Sequence, residues 1–432
     1  MLTPGTHLNL PRHGGRWQVG ALLGEGGQGA VYELHSEDRP GATLAVKWYR
    51  PEAAHPAQRA ALGRLARIAT PSDAFIWPLE VIDDDGGFGY AMALRPDHYL
   101  PIADLLNGQI DASFTTVARL CVALADGFLQ LHAQGLCYRD ISLGNIFFDP
   151  VTGHPLICDN DNVGVEGKDP ARVLGTARFM APEIVRGEAL PSIATDLYSL
   201  SVLLFYLLMV HHPLEGRREL EFACYDREAE RALFGADPMF VFDPTDDSNR
   251  PDPAVHGAVL QYWPLYPAYL REDFLQAFTA GLRTPALRVR DSVWRSHLAR
   301  LLDGITLCPC GRENPTDDGI PFRPCWSCGN LIEPPPRLRF AGGVVVLNAG
   351  TRVTRHHVAR DFVNDVVLAE VTEHPRRPGA WGLTNRGDRP WSARTPDGDD
   401  QEILPGRSIG LIAGTVIDFR SGSATLEAGP RD

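Results

Sequence analysis

The stretch LLGEGGQGAVYEL at 22–34 sets the first limit on what this chain can fold into. Gly24, Gly26 and Gly29 stand in G-x-G-x-x-G spacing. In a dinucleotide-binding fold that fingerprint opens a helix directly after its last glycine. Here Ala30, Val31 and Tyr32 continue as a strand, which removes the dinucleotide reading and leaves a glycine-tipped β-hairpin lying over a phosphate chain. Lys47 follows 23 residues after Gly24, on the next apolar strand, LAVKWY. Its retention carries weight, because the 41 basic residues include only two lysines, Lys47 and Lys168. A compact ammonium suits a seat between phosphates in a way that the planar arginine fork does not. Lys168 lies in a glycine- and acid-rich loop and reads as solvated.

At 432 residues the chain exceeds one ordinary core, so two or three domains are expected. A β-rich start over about 16–100 gives way to helical patterns over about 101–300, an order foreign to a repeating βαβ sheet. A cysteine cluster follows at 308–328, then EPPPR at 333–337, whose prolines stiffen the chain as a linker. Short runs such as GGVVVL, DVVLAEV, AWGLTN and IGLIAGTVIDF then predict a small all-β domain. The net charge of −13 argues against a nucleic-acid partner, which requires clustered positive charge. The N-terminal 15 residues read as a polar tail with no secretory leader. The most membrane-like run, 197–210, is shorter than a span and reads as a buried helix, so a cytoplasmic protein is expected.

Further on, CYRDISLGN at 137–145 places Asp140 to orient a hydroxyl and accept its proton, with Asn145 offering an amide oxygen to a metal on a triphosphate. Fourteen residues beyond Asn145, the strand PLIC leads into Asp159, a hard oxygen ligand suited to Mg²⁺. GTARFMAPE follows at 175–183, then Asp196 and, near 288, Arg288.

The ordered set GEGGQG, LAVK, YRDISLGN, CDND, GTARFMAPE and TDLYSL resembles the protein kinase family over about 16–302. The resemblance implies a two-lobed α+β fold with ATP between the lobes and Mg²⁺ or Mn²⁺ as the metal. It implies that Lys47 binds the α- and β-phosphates, that Asp140 is the catalytic aspartate, and that Asn145 and Asp159 hold the metal. Gly24, Gly26, Gly29 and Val31 would line the nucleotide. Met92 would stand at the back of the adenine pocket, with Ala93 and Leu94 as hinge, and Glu183 would pair with Arg288 to anchor the second lobe.

The departures from the pattern are specific. Tyr138 replaces the histidine of the catalytic loop, and Ser142 stands where many such loops carry a lysine. CDND replaces D-F-G, so Asn160 occupies the phenylalanine position and Asp161 the glycine position; Asp161 is open as a second metal ligand. The expected helix from Gln58, QRAALGRLARI, contains no acid, so the family's lysine–glutamate pair lacks its second member. Either Lys47 finds another carboxylate, with Asp159 first in line, or the helix is placed by something else. The activation segment 160–175 contains no Ser, Thr or Tyr, which predicts that no phosphorylation within it switches the protein on, with Glu166 or Asp169 supplying a permanent negative charge to Arg139. Thr176 is expected to contact Asp140.

CPCGRENPTDDGIPFRPCWSCG gives C-x-C, fourteen residues, then C-x-x-C. Cys308, Cys310, Cys325 and Cys328 are expected to bind one Zn²⁺, with two disulfides as the competing reading; the one-residue first spacing makes Cys308 the weakest ligand of the four. Cys121, Cys137, Cys158 and Cys224 read as core. TRHHV, WGLTN and LPGRSIGLIAGTVIDF resemble a forkhead-associated-like β-sandwich, with Arg355 and Asn385 at suggestive places, against the plainer reading of a sandwich used for packing or docking. WPLEV, FGYAMALR, HHPLEG and WPLYP extend the resemblance to the bacterial kinases that accompany a metal-dependent phosphatase and a von Willebrand factor A protein in tellurite-resistance-associated systems. That implies those two proteins as partners.

The expected domains are a tail over 1–15, a kinase domain over 16–303 with lobes at about 16–94 and 95–303, a four-cysteine zinc ribbon over 304–332, a proline-rich linker over 333–339 and a β-sandwich over 340–432. Two functions fit this sequence. One is an ATP- and Mg²⁺-dependent Ser/Thr protein kinase acting on protein substrates. The other is a pseudokinase or nucleotide-binding scaffold that docks through the zinc and β modules, suggested by the missing helix glutamate, Ser142 and Asn160.

Overall fold

A computed structural model describes residues 1–84, 87–168, 174–224, 226–317 and 324–429. The chain forms two compact units: one of Met1–Ala112, Arg119–Trp263 and Arg271–Arg295, the other of Ser113–Ala118, Pro264–Leu270 and the residues from Ser296 onward. The expected boundary at 303 therefore gives way to an exchange of short segments, because the helices Phe114–Ala133, Ala268–Phe278 and Asp291–Asp303 each run across a unit boundary.

The first unit opens with an antiparallel sheet of β1 (His7–Leu10), β2 (Gly15–Glu25), β3 (Gly29–Ser36), β4 (Thr43–Tyr49), β5 (Pro78–Asp84) and β6 (Gly87–Met92), in the order β1-β2-β3-β4-β6-β5. Alternate residues of each strand point to one face, so Trp17 and Val19 of β2, Tyr32 and Leu34 of β3, and Val46 and Trp48 of β4 close into one core. Residues 1–15 are not a tail. His7 to Leu10 pair with Gln18 to Gly15, and Leu8 and Leu10 lie buried in the same core. Gly14 and Gly15, both at positive φ, close the turn that folds this short strand back. Helix α1 (Pro56–Leu65) begins with proline in its first turn and buries only Leu62 and Leu65.

Helix Ile193–Met209 is buried along nearly its whole length, as expected for the apolar run at 197–210. Its first turn is closed by a capping box in which Ser192 Oγ accepts the Thr195 N–H at 3.3 Å while Thr195 Oγ1 accepts the Ser192 N–H at 2.8 Å. Phe205 of this helix meets Phe240, Phe274 and Phe278 edge-on. Among the described residues, the one helix long and apolar enough to cross a membrane is Phe114–Ala133, with 56% of its apolar window buried inside the fold. Arg119 and Asp126 interrupt its apolar run, which kept it from standing out in the sequence. Arg288 donates to Glu183 Oε2 at 2.8 Å and to the Ala194 carbonyl at 2.8 Å, so the expected pair also grips the start of Ile193–Met209.

In the second unit, the hairpin Ile305–Leu307 and Glu313–Pro315 leads into the cysteine cluster. Two antiparallel sheets follow. One runs Gly343–Val346, Arg337–Phe340, Ser423–Glu427, Val416–Asp418, Trp391–Arg394 and Asp400–Ile403; the other runs Arg352–Thr354, Val367–Glu373, Trp381–Asn385 and Ser408–Gly410. Leu338, Val353, Val371, Leu383, Ile417 and Leu426 fill the core that the two sheets share. Arg337 already pairs with Val346 and Glu427, so the linker stops at 336 rather than 339. Once past the last proline, Arg337-Leu338-Arg339-Phe340 has its backbone donors back and alternates outward and inward.

Candidate active site and cysteine cluster

The glycine hairpin is the tip of β2 and β3. Gly24 lies opposite Val31 and Glu25 opposite Ala30, and the Gly26 N–H closes the tip on the Gly29 carbonyl at 2.9 Å. The three glycines are there for different reasons. A Cβ on Gly29 would stand 2.1 Å from the Trp48 carbonyl oxygen, so the close approach of β3 to β4 requires glycine. Gly24 and Gly26 face open space, and no neighbouring atom demands their bare backbone. At β6 the strand ends with Met92, half-buried and opposite Ala45, and Ala93 and Leu94 follow beyond it.

Lys47 lies opposite Val31 and is almost fully buried. Its Nζ pairs with Asp159 Oδ1, lies 2.9 Å from Asp161 Oδ2 and reaches Gln28 Oε1 at 3.3 Å. Asp159, at φ +55, and the single turn Asn160–Asn162 after it bring both carboxylates to the same ammonium. The side chain of Asp159 is 34% exposed and that of Asp161 is 0% exposed. The Tyr49 hydroxyl donates to Asp161 Oδ2, and the Gln58 amide of α1 donates to the Asp161 carbonyl at 2.7 Å. Burial would lower the Lys47 ammonium, but the charges of Asp161 and then Asp159 raise it. Burial also works against the Asp161 charge, yet Lys47 and the Tyr49 hydroxyl outweigh it and hold the carboxyl below its ordinary range. Burial and the neighbouring Asp161 charge push Asp159 up to about 6.

The sequence reading placed Asp159 beside Lys47 and left Asp161 as a further metal ligand. The structure gives Asp161 to Lys47 as well. Tyr49 and Gln58 escaped the sequence reading; the signals were the phase of β4, which puts residues 47 and 49 on one face, and the extra acid in CDND. Asn160 is buried and its amide donates to the Ile76 and Ile157 carbonyls at 2.8 and 2.9 Å, so polar bonds replace the packing of the expected aromatic.

Asp140 forms a second cluster. Asn145 Nδ2 donates to its carbonyl at 2.9 Å and its Oδ2 at 3.2 Å, and Thr176 Oγ1 donates to its Oδ1 at 3.0 Å. Burial raises the Asp140 carboxyl above the ordinary aspartate range, against the lowering effect of those bonds, a direction that suits a proton acceptor. The Cys158 N–H donates to the Asn145 carbonyl at 2.8 Å and the Tyr138 hydroxyl donates to the Cys158 carbonyl, which ties this loop to the turn that carries Asp159. With its amide nitrogen committed to Asp140, Asn145 keeps Oδ1 as a ligand atom, and together with the Asp159 carboxylate it fits a hard cation. Below the loop, Asp196 accepts the Tyr138 and Arg139 N–H groups at 2.5 and 2.9 Å and faces His132, whose other ring nitrogen lies 2.8 Å from Asp291. No local motif announced His132 or Asp291. Glu166 accepts the Ile193 N–H at 2.9 Å, and Asp169, its alternative as a charge for Arg139, lies outside the described residues.

In the second unit, the sulfurs of Cys308, Cys310, Cys325 and Cys328 all lie within 4.8 Å of one another. Cys308 to Cys328 and Cys310 to Cys325 are both 3.7 Å. A tetrahedral Zn²⁺ with bonds of about 2.3 Å separates its sulfurs by about 3.8 Å, whereas a disulfide needs about 2.05 Å, so the geometry fits zinc. Gly311 and Gly329, at φ +86 and +73, form the two knuckles, and Cys308 is buried within the set rather than peripheral to it. Of the other cysteines, Cys121 and Cys137 are core, Cys158 is half-buried, and Cys224, in a bend, is exposed, contrary to the core expected from the sequence. Arg355 is 53% exposed and pairs with Asp361 at 2.6 Å, whereas buried Asn385 donates to the Arg389 and Ile403 carbonyls and so has an internal role.

The family model of the protein kinase domain matches residues 17–233, a little over half of the chain. The DNA damage-responsive serine/threonine-protein kinase of Deinococcus radiodurans is 28% identical over 307 residues, covering 68% of this chain and 42% of the relative. A probable serine/threonine-protein kinase of Streptomyces coelicolor is 27% identical over 218 residues, 48% of this chain and 32% of the relative. A second serine/threonine-protein kinase of that organism is 26% identical over 226 residues, 47% of this chain and 51% of the relative. The chain thus spans between a third and a half of the length of these curated relatives. The matched segment carries the glycine hairpin, Lys47, Asp140, Asn145 and Asp159, and by that match the chain belongs to the protein kinase domain family.

Proposed function

We propose that this chain is an ATP- and Mg²⁺-dependent Ser/Thr protein kinase that transfers the γ-phosphoryl group to a hydroxyl of a protein partner. The observation that carries this reading is the Lys47–Asp159 pair beside a turn bonded to Asn145, with Asp140 held between Asn145 and Thr176. In this reading Lys47 holds the α- and β-phosphates, and Gly24, Gly26, Gly29 and Val31 cover the nucleotide. Met92, Ala93 and Leu94 border the adenine, and Asp140 accepts the substrate proton. Asn145 and Asp159 hold Mg²⁺ or Mn²⁺, which when bound neutralises charge on the phosphates. The raised Asp140 carboxyl and the partly exposed Asp159 support these assignments. The Ser/Thr preference rests on the printed names of the relatives.

The scaffold reading drew on the missing helix glutamate. That argument weakens, since Lys47 has two carboxylates without it. In the second unit, Cys308, Cys310, Cys325 and Cys328 hold a structural Zn²⁺, and the sandwich serves packing or partner docking, its forkhead-associated-like character resting on the sequence likeness alone. A metal-dependent phosphatase and a von Willebrand factor A protein, in a cytoplasmic tellurite-resistance-associated system, are the partners this reading carries over from the sequence.

The test is transfer of radiolabelled γ-phosphate by wild type and Asp140→Asn, with Mg²⁺ or Mn²⁺ and those partners present. Label moved by wild type and lost in the variant is the expected result. Equal label in both defeats the enzyme reading.

A further inference from the structure

We infer that Asp161 is the positioning residue for Lys47, a carboxylate carried by the turn after Asp159 that does the work a glutamate on α1 would otherwise do. The inference rests on the kinase reading of the site and adds to it a residue that reading leaves without a role.

Three observations converge on Asp161. Its Oδ2 lies 2.9 Å from Lys47 Nζ, and α1 offers no acid anywhere along its length. Its side chain is fully enclosed, and the same oxygen also takes the Tyr49 hydroxyl, so Asp161 faces the lysine and not a solvent-borne ligand. That separates it from Asp159, whose side chain is 34% exposed. Finally, its carbonyl is fixed by Gln58 Nε2 at 2.7 Å and the same amide reaches the Tyr49 hydroxyl at 3.5 Å, so what α1 brings to this cluster is a neutral amide and no charge. A buried ammonium and a buried carboxylate each carry a desolvation cost that the other helps to offset, so the two positions are coupled. Asp161 divides labour with its neighbour: when Asp159 is drawn to a metal, Asp161 still holds the lysine.

The experiment has two arms. In the first, binding of a fluorescent ADP without added metal and the KM for ATP are measured for wild type, Asp161→Asn, and Asp161→Asn combined with Gln58→Glu. Loss of the carboxylate is expected to weaken nucleotide binding and raise KM by about tenfold or more, the order of one lost charge contact. Gln58→Glu, returning a carboxylate from the α1 side, is expected to recover part of that loss, which a merely structural role for Asp161 would not produce. Unchanged binding and KM in Asp161→Asn overturn the inference while leaving the kinase reading intact. A wild type that binds no nucleotide and transfers no phosphate is the separate failure of the kinase reading.

The second arm needs neither activity nor a well-folded Asp161→Asn. Lys47→Met strands the buried Asp161 charge, so adding Asp161→Asn to Lys47→Met is expected to raise the melting temperature by roughly 3 °C or more. A double variant that melts below Lys47→Met overturns the inference.

Discussion

His132 is a buried cation between two buried carboxylates, and this predicts that the loop carrying Asp140 loses support as the solution turns alkaline. Nδ1 lies 2.8 Å from Asp291 Oδ2 and Nε2 lies 3.3 Å from Asp196 Oδ2, so both ring nitrogens face acceptors and both must donate, which requires the imidazolium. None of the three side chains is more than 9% exposed. Burial alone would lower the imidazole, but the hydrogen bonds and charges of Asp196 and Asp291 outweigh it and push it up to about 9, against an ordinary value of 6.5. Holding the proton that much more tightly in the folded state corresponds to about 3 kcal/mol of folding free energy. Because the folded value is the higher one, that contribution is fully present below about pH 6.5 and is lost as the pH rises through about 9. The effect reaches the site because Asp196 is also the acceptor for the Tyr138 and Arg139 N–H groups next to Asp140.

His132→Asn removes the titrating group and leaves every other ionisable residue in place. Urea unfolding followed by tryptophan fluorescence, run on both proteins across roughly pH 6 to 10, is expected to show wild type ahead by about 3 kcal/mol at the acid end, with the gap closing towards pH 10. A gap that stays constant over that range refutes the assignment of a buried cation.

Asp140→Asn is expected to lower phosphoryl transfer by roughly 10²- to 10⁴-fold, the range for a proton acceptor, while fluorescent ADP still binds. Gly29→Ala forces a methyl to 2.1 Å from the Trp48 carbonyl and is expected to cost about 2 kcal/mol or more in thermal stability. Gly24→Ala and Gly26→Ala, which meet nothing within 4 Å, are expected to stay within about 0.5 kcal/mol of wild type and to show their effect in the KM for ATP instead. Elemental analysis of protein purified without chelator is expected to find one zinc per chain, and Cys325→Ser is expected to lose it and lower the melting temperature; a zinc-free wild type would refute the cluster assignment. Gln58→Ala, which removes a neutral contact to Asp161, is expected to change nucleotide affinity by less than about tenfold, measured by titration.

The parts of this fold that were legible in the sequence are those fixed by local physics. The glycine hairpin, the strand with Lys47, the buried run at 197–210 and the cysteine knuckles each announce themselves through spacing or periodicity within a short window. What escaped depends on residues far apart in the chain. Asp161 meets Tyr49 across 112 positions, and His132 meets Asp291 across 159, with no short-range pattern linking either pair. The edge strand at His7–Leu10 was missed for another reason. Four residues are too few for alternation to stand out beside Pro11 and two glycines, although their pairing with β2 buries Leu8 and Leu10.

The relocation of the carboxylate changes what α1 can do to the site. Where the lysine's partner is a glutamate on the helix, displacing the helix breaks a buried ion pair, a loss of about 3–5 kcal/mol and more than a hundredfold in any equilibrium that depends on it. Here the two carboxylates on Lys47 belong to the segment around Asp159–Asp161, and α1 adds a neutral amide that donates to the Asp161 carbonyl at 2.7 Å and, at 3.5 Å, weakly to the Tyr49 hydroxyl. A neutral bond of that kind is worth about 1 kcal/mol, or roughly fivefold. Movement of α1 is therefore a weak lever on Lys47, while movement of the turn is a strong one, since it shifts both lysine partners together. The Asn160 amide, bonded to the Ile76 and Ile157 carbonyls, pins that turn to its neighbouring strand residues. Control of this site is thus expected to act through whatever displaces the 159–162 turn, and the polar residue at 160 is the part of the turn that resists it.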